Sequence, residues 1–493
     1  MSWIESLAKY VPEIVRPKEK NLGFKRKMYW TLGVLFAFFV LGVIPLWGLD
    51  PASQFEFAQL ELILGASFGS IISLGIGPIV TASIVLQLLK GSGILDIDTH
   101  TDAGKKKFQA IQQVLTVVFV VFEAFIFVYM GGLAPPSGVP NFQVMQLLLV
   151  FQLIIGGMLI LFMDQVTSKW GFGSGVGLFI AAGVGKELFV RTFSPLSPSV
   201  EGIQGEGYIG AVPDLIFRAI PQGEMLAATT LLAAIIATIV IFLVVVFTQA
   251  MKVEIPLSFG RVRGHGIRWP LNFFYTSNIP VILVAALLAN MQLWARLMQG
   301  WAERTLEAIG EGAATFGQNM IITVSRWLGH VGEQGQPIPF QDTLGFIGYI
   351  TPPNMLEGFI TGSVTGQMWA AAGVYTLFMV AGSVLFSYFW VQTAGLDSRS
   401  QAKNIMASGL QVPGFRKDPR VMERLLDRYV MPLTIMGGIA VGLLAAIADL
   451  SGTLTSGIGL LLAVMILYRM YQDIAKEQAY EMNPMMRRFF GKE

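Results

Sequence analysis

Apolar residues run through this chain in blocks of about twenty, with polar residues between them. A helix needs about 20 largely apolar residues to cross a bilayer core. Ten stretches meet that need: 28–47, 55–90, 108–130, 144–163, 174–193, 226–250, 273–296, 368–392, 430–450 and 458–471. The second is too long for one crossing and reads as a span broken into two pieces. Gly65 and Gly69 interrupt its first part. Gly75, Gly77 and Pro78 break it again before an apolar helix that runs to Lys90. Pro78 fits the first turn of that helix, where its missing N–H would have no intrahelical partner. Non-helical backbone at membrane depth persists only inside protein or beside a water-filled cavity. The break therefore points to a pathway.

Composition agrees with the pattern. Of 493 residues, 54% are hydrophobic and 13% charged, against about 25% charged in soluble domains. The mean hydropathy is +0.61. The expected fold class is an all-α polytopic membrane protein. The chain has no Cys, which excludes disulfides, thiol catalysis and Cys-based metal sites. Residues 1–27 are amphipathic and mixed in charge, without the apolar core of a cleavable signal peptide. Their first part reads as a helix on the membrane surface that ends near Pro12.

Charge then orients the spans. With the N-terminus in the cytoplasm, 28 of the 34 Lys and Arg fall on the inner side and 6 on the outer side. Inner loops carry the excess of basic residues in membrane proteins, so both termini are expected in the cytoplasm and the membrane is read as the plasma membrane. Five spans lie in residues 28–195 and five in 225–471, joined by an external hinge loop, 196–224. Five is odd, so the halves insert with opposite orientation. Inverted halves place their site where they meet, near the middle of the membrane. A long external segment, 297–367, contains two amphipathic stretches, 301–309 and 313–328, expected to lie on the surface or against the outer mouth. Residues 472–493 form a cytoplasmic tail.

Two cytoplasmic loops, 251–272 and 393–429, are long and basic. The first alternates apolar and polar residues, which predicts a hairpin. Their charge fits orientation and lipid contact, or a docking surface for a large acidic partner such as ribosomal RNA. Within the spans, Ile76 and Val80 lie four apart and share a helix face, as do Val176 and Ile180. Asn278-Ile-Pro-Val-Ile282 sets a disturbed turn at similar depth. Aliphatic pairs beside glycines serve helix packing or line a pathway, and spacing alone leaves both open. Glu123 is the clearest ionisable residue in a span. A charge at the bilayer centre costs at least about 2.5–3.5 kcal/mol, so it should face the interior, toward Thr81, Gln87, Gln112 or Asn290. No catalytic pair, metal-binding motif or nucleotide loop accompanies it. An enzyme is not expected, and no cofactor is expected.

At this point the chain resembles the SecY family, channel subunits of the general protein-export translocon, in its archaeal form. The resemblance is carried by Leu74-Gly-Ile-Gly-Pro-Ile-Val-Thr81, Gly173-Ser-Gly-Val-Gly-Leu-Phe-Ile-Ala-Ala-Gly183, Val253-Glu-Ile-Pro-Leu257, Ser277-Asn-Ile-Pro-Val-Ile-Leu283, Gly414-Phe-Arg-Lys417 and Tyr468-Arg-Met-Tyr471. It implies two five-helix halves around an hourglass pore, conducting unfolded polypeptides and releasing apolar segments sideways into lipid. Matched by motif, the pore ring would be Ile76, Val80, Val176, Ile180, Ile282 and Leu444. A plug would occupy residues 57–69, with Phe57, Leu60, Ile63, Leu64, Gly65 and Gly69. Thr81, Glu123 and Asn290 would form the polar cluster of a lateral gate. Arg261, Arg263, Arg416 and Lys417 would dock the ribosome or another cytoplasmic partner. The implied partners are SecE-like (gamma) and Sec beta small subunits, the ribosome, signal sequences, nascent polypeptides and the lipid bilayer. The competing expectation is a secondary transporter of a small solute.

Overall fold

The computed structural model describes residues 13–18, 22–50, 66–95, 97, 101–136, 141–197, 199–200, 203–204, 207–259, 266–276, 278–309, 323–324, 345–407, 410–411 and 418–482. Among these, ten helices of 15 residues or more follow the predicted blocks. They are α1 (Phe24–Val43), α2 (Gly77–Gly91), α3 (Asp102–Tyr129), α4 (Phe142–Trp170), α5 (Gly175–Phe193), α6 (Met225–Ala250), α7 (Ile279–Ile309), α8 (Gly366–Thr393), α9 (Pro419–Leu450) and α10 (Gly457–Met482). Seven of them are long and apolar enough to cross a membrane. At 15 residues, α2 rises about 22 Å, short of the roughly 30 Å hydrocarbon core. Its N-terminal approach is a chain of turns from Phe68 to Ile76, so the broken span is broken where the glycines stand. Gly75 has φ +53°, a conformation that L side chains adopt only under strain.

Several ends differ from the hydropathy reading, each for a local reason. The first helix stops at Val43, because the residue before Pro45 avoids helical ψ. Pro45 instead bridges Ser70, and the Leu46 amide donates to the Gly69 carbonyl at 2.8 Å. The seventh helix begins at Ile279 rather than 273, with Pro280 in its first turn. Its far end absorbs 301–309, which is therefore a continuation of a helix and not a separate surface element. Residues 313–328 lie almost wholly outside the described residues, as does the predicted surface helix before Pro12.

The ninth helix begins eleven residues before the predicted start. Asp418 caps it by accepting from the Arg420 amide at 2.9 Å, with Pro419 following. Charge hid this first part from hydropathy, yet Met422, Leu426 and Val430 recur every four residues on one buried face. That face packs against Ile255 and Leu257. These two belong to β3 (Lys252–Phe259), which pairs antiparallel with β4 (Gly266–Asn272) and with β5 (Leu410–Gln411). A separate pair, β1 (Ser199–Val200) with β2 (Ile203–Gln204), lies between α5 and α6. The alternation in loop 251–272 thus resolves as a hairpin, and the second basic loop adds a strand to it.

Helices α1–α5 pack among themselves, with α4 touching α1, α3 and α5. In the second set α8 packs on α7 and α9, and α10 on α6 and α9. The two sets meet along two seams. On one, α2 meets α7 and α8. On the other, α10 meets α5 and α1. Between the seams lies one apolar core that draws on both sets, including Ile160, Phe179 and Ile180 from the first and Val281, Met379 and Leu461 from the second.

Candidate functional site

The site begins with backbone. Ile76 is the N-cap of α2, and its carbonyl accepts from the Ile79 and Val80 amides at 3.1 Å each. Val80 lies one turn on, over the same face. In α5, Val176 and Ile180 have the same relation. In α7, Ile282 donates its amide to the Asn278 carbonyl at 3.1 Å and so belongs to the first turn. All six expected ring residues join the same apolar core. Ile76, Val80 and Ile180 are buried in it, and Val176, Ile282 and Leu444 are part-buried against it.

A cavity of about 650 Å³ reaches this core. Val80, Val176 and Ile282 form part of its apolar lining. Its polar lining comes from Ser83, Gln87, Lys105, Gln109, Gln112, Asp164, Arg469 and Asp473. Polar side chains thus share one cavity with three uncharged aliphatic residues of the expected ring. Aliphatic side chains offer no fixed ligand to an ion. Among the described residues, no group of three His, Cys, Asp or Glu is placed to hold a metal.

The three expected gate residues come together on the first seam. Asn290 of α7 donates Nδ2–H to Thr81 Oγ1 of α2 at 3.0 Å. The Thr81 hydroxyl donates to the Gly77 carbonyl at 2.9 Å. Glu123 of α3 is buried close to Thr81. Of the other candidate partners for Glu123, Gln112 donates instead to Ser83 Oγ at 2.7 Å. Gln87 is buried, and its Oε1 has no hydrogen-bond partner among the described residues.

The expected plug residues Phe57, Leu60, Ile63, Leu64 and Gly65 lie outside the described residues. Gly69 is described, at φ +82° in the turn that pairs with the end of α1. Arg261, Arg263, Arg416 and Lys417 also lie outside them. The strand ends that lead into both basic segments are paired, with Phe259 opposite Leu410 and Ser258 opposite Gln411.

Two carboxylates that hydropathy and motif reading left without a role take part in the site. Asp164 of α4 accepts the Val176 amide on Oδ1 at 3.0 Å. Asp449 of α9 accepts the Ile458 amide at 2.8 Å and receives the Tyr375 hydroxyl. The signal for them is a repeat. Ser174-Gly-Val-Gly-Leu178 opens α5 and Ser456-Gly-Ile-Gly-Leu460 opens α10.

The hinge between α5 and α6 is held by charge. Arg218 donates to both carboxylate oxygens of Asp214, at 2.7 and 2.8 Å, and to Glu224 at 3.0 Å. The Arg218 hydrogen bond, helped by the Tyr208 amide, holds the Asp214 carboxyl below its ordinary range despite burial. At the sheet, burial beside Asp397 pushes the Tyr275 phenol up. It stays protonated and donates to the Leu396 carbonyl at 2.6 Å.

Comparison with known proteins places this geometry. The SecY family model matches residues 70–471. "Protein translocase subunit SecY" of Pyrococcus furiosus is 38% identical over 498 residues, 99% of this chain and 98% of that protein. Its counterpart in Methanothermobacter thermautotrophicus is 39% identical over 500 residues, with 99% and 98% covered. Among solved structures, one described as "The structure of a protein conducting channel" superposes with a TM-score of 0.76 at 34% identity, covering 96% of this chain and 97% of the other. Sec61 in the canine ribosome-channel complex from the endoplasmic reticulum gives 0.72 at 34% identity, with the same coverage. These relatives are channels rather than enzymes, and the apolar helices are those of a multi-pass membrane protein. The chain belongs to the SecY family.

Proposed function

We propose that this chain is the central channel of a protein-export translocon, conducting unfolded polypeptides through the constriction and releasing apolar segments between α2 and α7–α8. The supporting observation is that six aliphatic side chains from both helix sets join one apolar core, and that three of them, Val80, Val176 and Ile282, line a cavity that polar side chains also line. Branched aliphatic side chains yield to a passing chain of any sequence and close behind it. Sideways release follows from partition, since each Å² of apolar surface moved out of water contributes about 25 cal/mol. In this reading the halves are inverted about an hourglass pore, residues 57–69 stopper it from outside, and both termini lie in the cytoplasm at the plasma membrane. SecE-like and Sec beta subunits would clasp the helix bundle. The paired strand ends of the two basic loops would present Arg261, Arg263, Arg416 and Lys417 to a ribosome. The transporter alternative is disfavoured by the relatives, which are named as protein translocase subunits and protein-conducting channels.

The test uses ribosomes stalled on a secretory chain that carries one photoreactive residue, bound to membranes containing this protein and its small subunits. The expected result is crosslinking to Ile76, Val80, Ile180 or Ile282 as the probe passes the constriction. Ile76→Asn with Ile180→Asn is expected to raise resting ion conductance by wetting the constriction. Uptake of a small solute without any crosslink to the secretory chain would overturn the reading.

A further inference from the structure

The last helix of each set opens on the same short sequence pattern. A helix start leaves its first amides without intrahelical partners. In α5 the N-cap Ser174 makes no side-chain cap bond. The acceptor comes from the preceding helix instead, as Asp164 on the Val176 amide. In α10 a carboxylate on the preceding helix again accepts, Asp449 from the Ile458 amide at 2.8 Å, and here the N-cap Ser456 Oγ also accepts the Gly459 amide at 3.3 Å. Both starts need glycine. A Cβ on Gly175 would sit 2.5 Å from Asp164 Cα, and one on Gly457 would sit 2.1 Å from the Ala448 carbonyl carbon.

The match continues across the seam. Gly177 of α5 faces Ile466 of α10, with an added Cβ 3.4 Å from Cγ2. Gly459 of α10 faces Val184 of α5, at 3.2 Å. Each glycine lies seven residues before the aliphatic of its own helix. The two helices therefore interlock with a local two-fold relation, and each carboxylate fixes one end of the pair.

We infer that Asp164 and Asp449 are positioning residues for the constriction. Each holds the start of its helix against its own half, so that the α5–α10 pair is a rigid spine. Asp164 sets the height of Val176 and Ile180 directly, because it binds the amide of Val176 itself. Asp449 sets α10, which buttresses α5, and lies little more than one turn from Leu444 on α9. A carboxylate within a spanning helix is expensive and persists where it is used. Here each is used by amides whose partial positive charge it complements. This inference rests on the reading of Val176 and Ile180 as pore-lining.

The experiment measures resting ion conductance of the purified channel, with its small subunits, in planar bilayers, alongside the melting temperature. Asp164→Ala is expected to raise resting conductance by about tenfold, from loss of the charge-assisted bonds. Asp164→Asn keeps an acceptor oxygen and is expected to restore most of the seal. A role in folding alone would lower the yield or the melting temperature of both variants and leave the conductance of each inserted channel unchanged, and that result overturns the inference. Should the alanine variant not fold, Asp164→Glu decides. It keeps the charge but displaces the oxygens by one methylene, so an intermediate leak supports positioning and a wild-type seal overturns it. Ile180→Asn separates the two readings. If it leaks while the Asp164 variants do not, only the positioning role fails. If it does not leak, the pore-lining assignment itself fails.

Discussion

The two seams between the helix sets are built from different materials. Along α5–α10 the surfaces interdigitate, with glycines opposite Ile466 and Val184 and with both helix starts tied down by carboxylates. Along α2–α7 the distinctive contact is polar, Asn290 to Thr81, with Glu123 behind it. The α2 helix on that side is also short and enters from a run of turns. Close apolar packing has one good arrangement and resists sliding. A hydrogen bond between small polar groups is readily exchanged for water or for another partner. On the proposed function, motion belongs to α2–α7–α8 and rigidity to α5–α10.

Overfilling the rigid seam should have the largest effect. Gly459→Leu drives a side chain into Val184, and overpacking of this kind costs about 1–3 kcal/mol. Thermal melting in detergent should show a marked loss, while Gly177→Ala, which meets Ile466 at ordinary contact distance, should melt close to wild type. Equal tolerance at both positions would remove the argument for an interlocked spine.

Loosening the polar seam should have a smaller effect on stability and a clearer one on transport. Asn290→Ala removes a bond worth about 0.5–1.5 kcal/mol, enough to shift a gate equilibrium by up to about tenfold. Insertion of weakly apolar signal sequences should improve, measured as the fraction of reporter chains exported. A large drop in melting temperature with no change in export would make Asn290 a packing residue.

The smallest effect is expected at the hinge. Asp214 has its carboxyl pKa depressed by Arg218. A depressed carboxyl stabilises the fold above its unfolded value of about 3.9 and loses that contribution as pH falls through the lower folded value. The melting temperatures of wild type and Asp214→Asn should therefore differ at neutral pH and converge in acid below about pH 4. A gap that persists unchanged into acid would show that the Arg218 contact is not its source.

Much of this arrangement was legible in the chain before any coordinates. The ten blocks, the break at Gly75-Ile-Gly-Pro78 and the aliphatic pairs all follow from periodicity and from the rules for glycine and proline. Hydropathy lost the start of α9 because a helix lying on a sheet needs only one apolar face, here Met422, Leu426 and Val430. It also extended α1 past Pro45, since apolar character persists where helical geometry does not. The carboxylate caps were illegible singly, because Asp164 and Asp449 act on amides twelve and nine residues away. They became visible through the repeated Ser-Gly-aliphatic-Gly-Leu that needs them. Thr81, Glu123 and Asn290 were candidates by type, and only folding brings residues 209 positions apart into one bond.

The contrast between seams is tested most directly by locking each in turn. The chain has no Cys of its own, so paired cysteines report only where they are placed. Export is measured under oxidation for Thr81→Cys with Asn290→Cys and for Val184→Cys with Gly459→Cys, each against its own reduced state. The account predicts that the disulfide across α2–α7 arrests export until it is reduced, and that the disulfide across α5–α10 leaves export running. Export that continues through a locked α2–α7 seam, or stops when α5–α10 is locked, would contradict it.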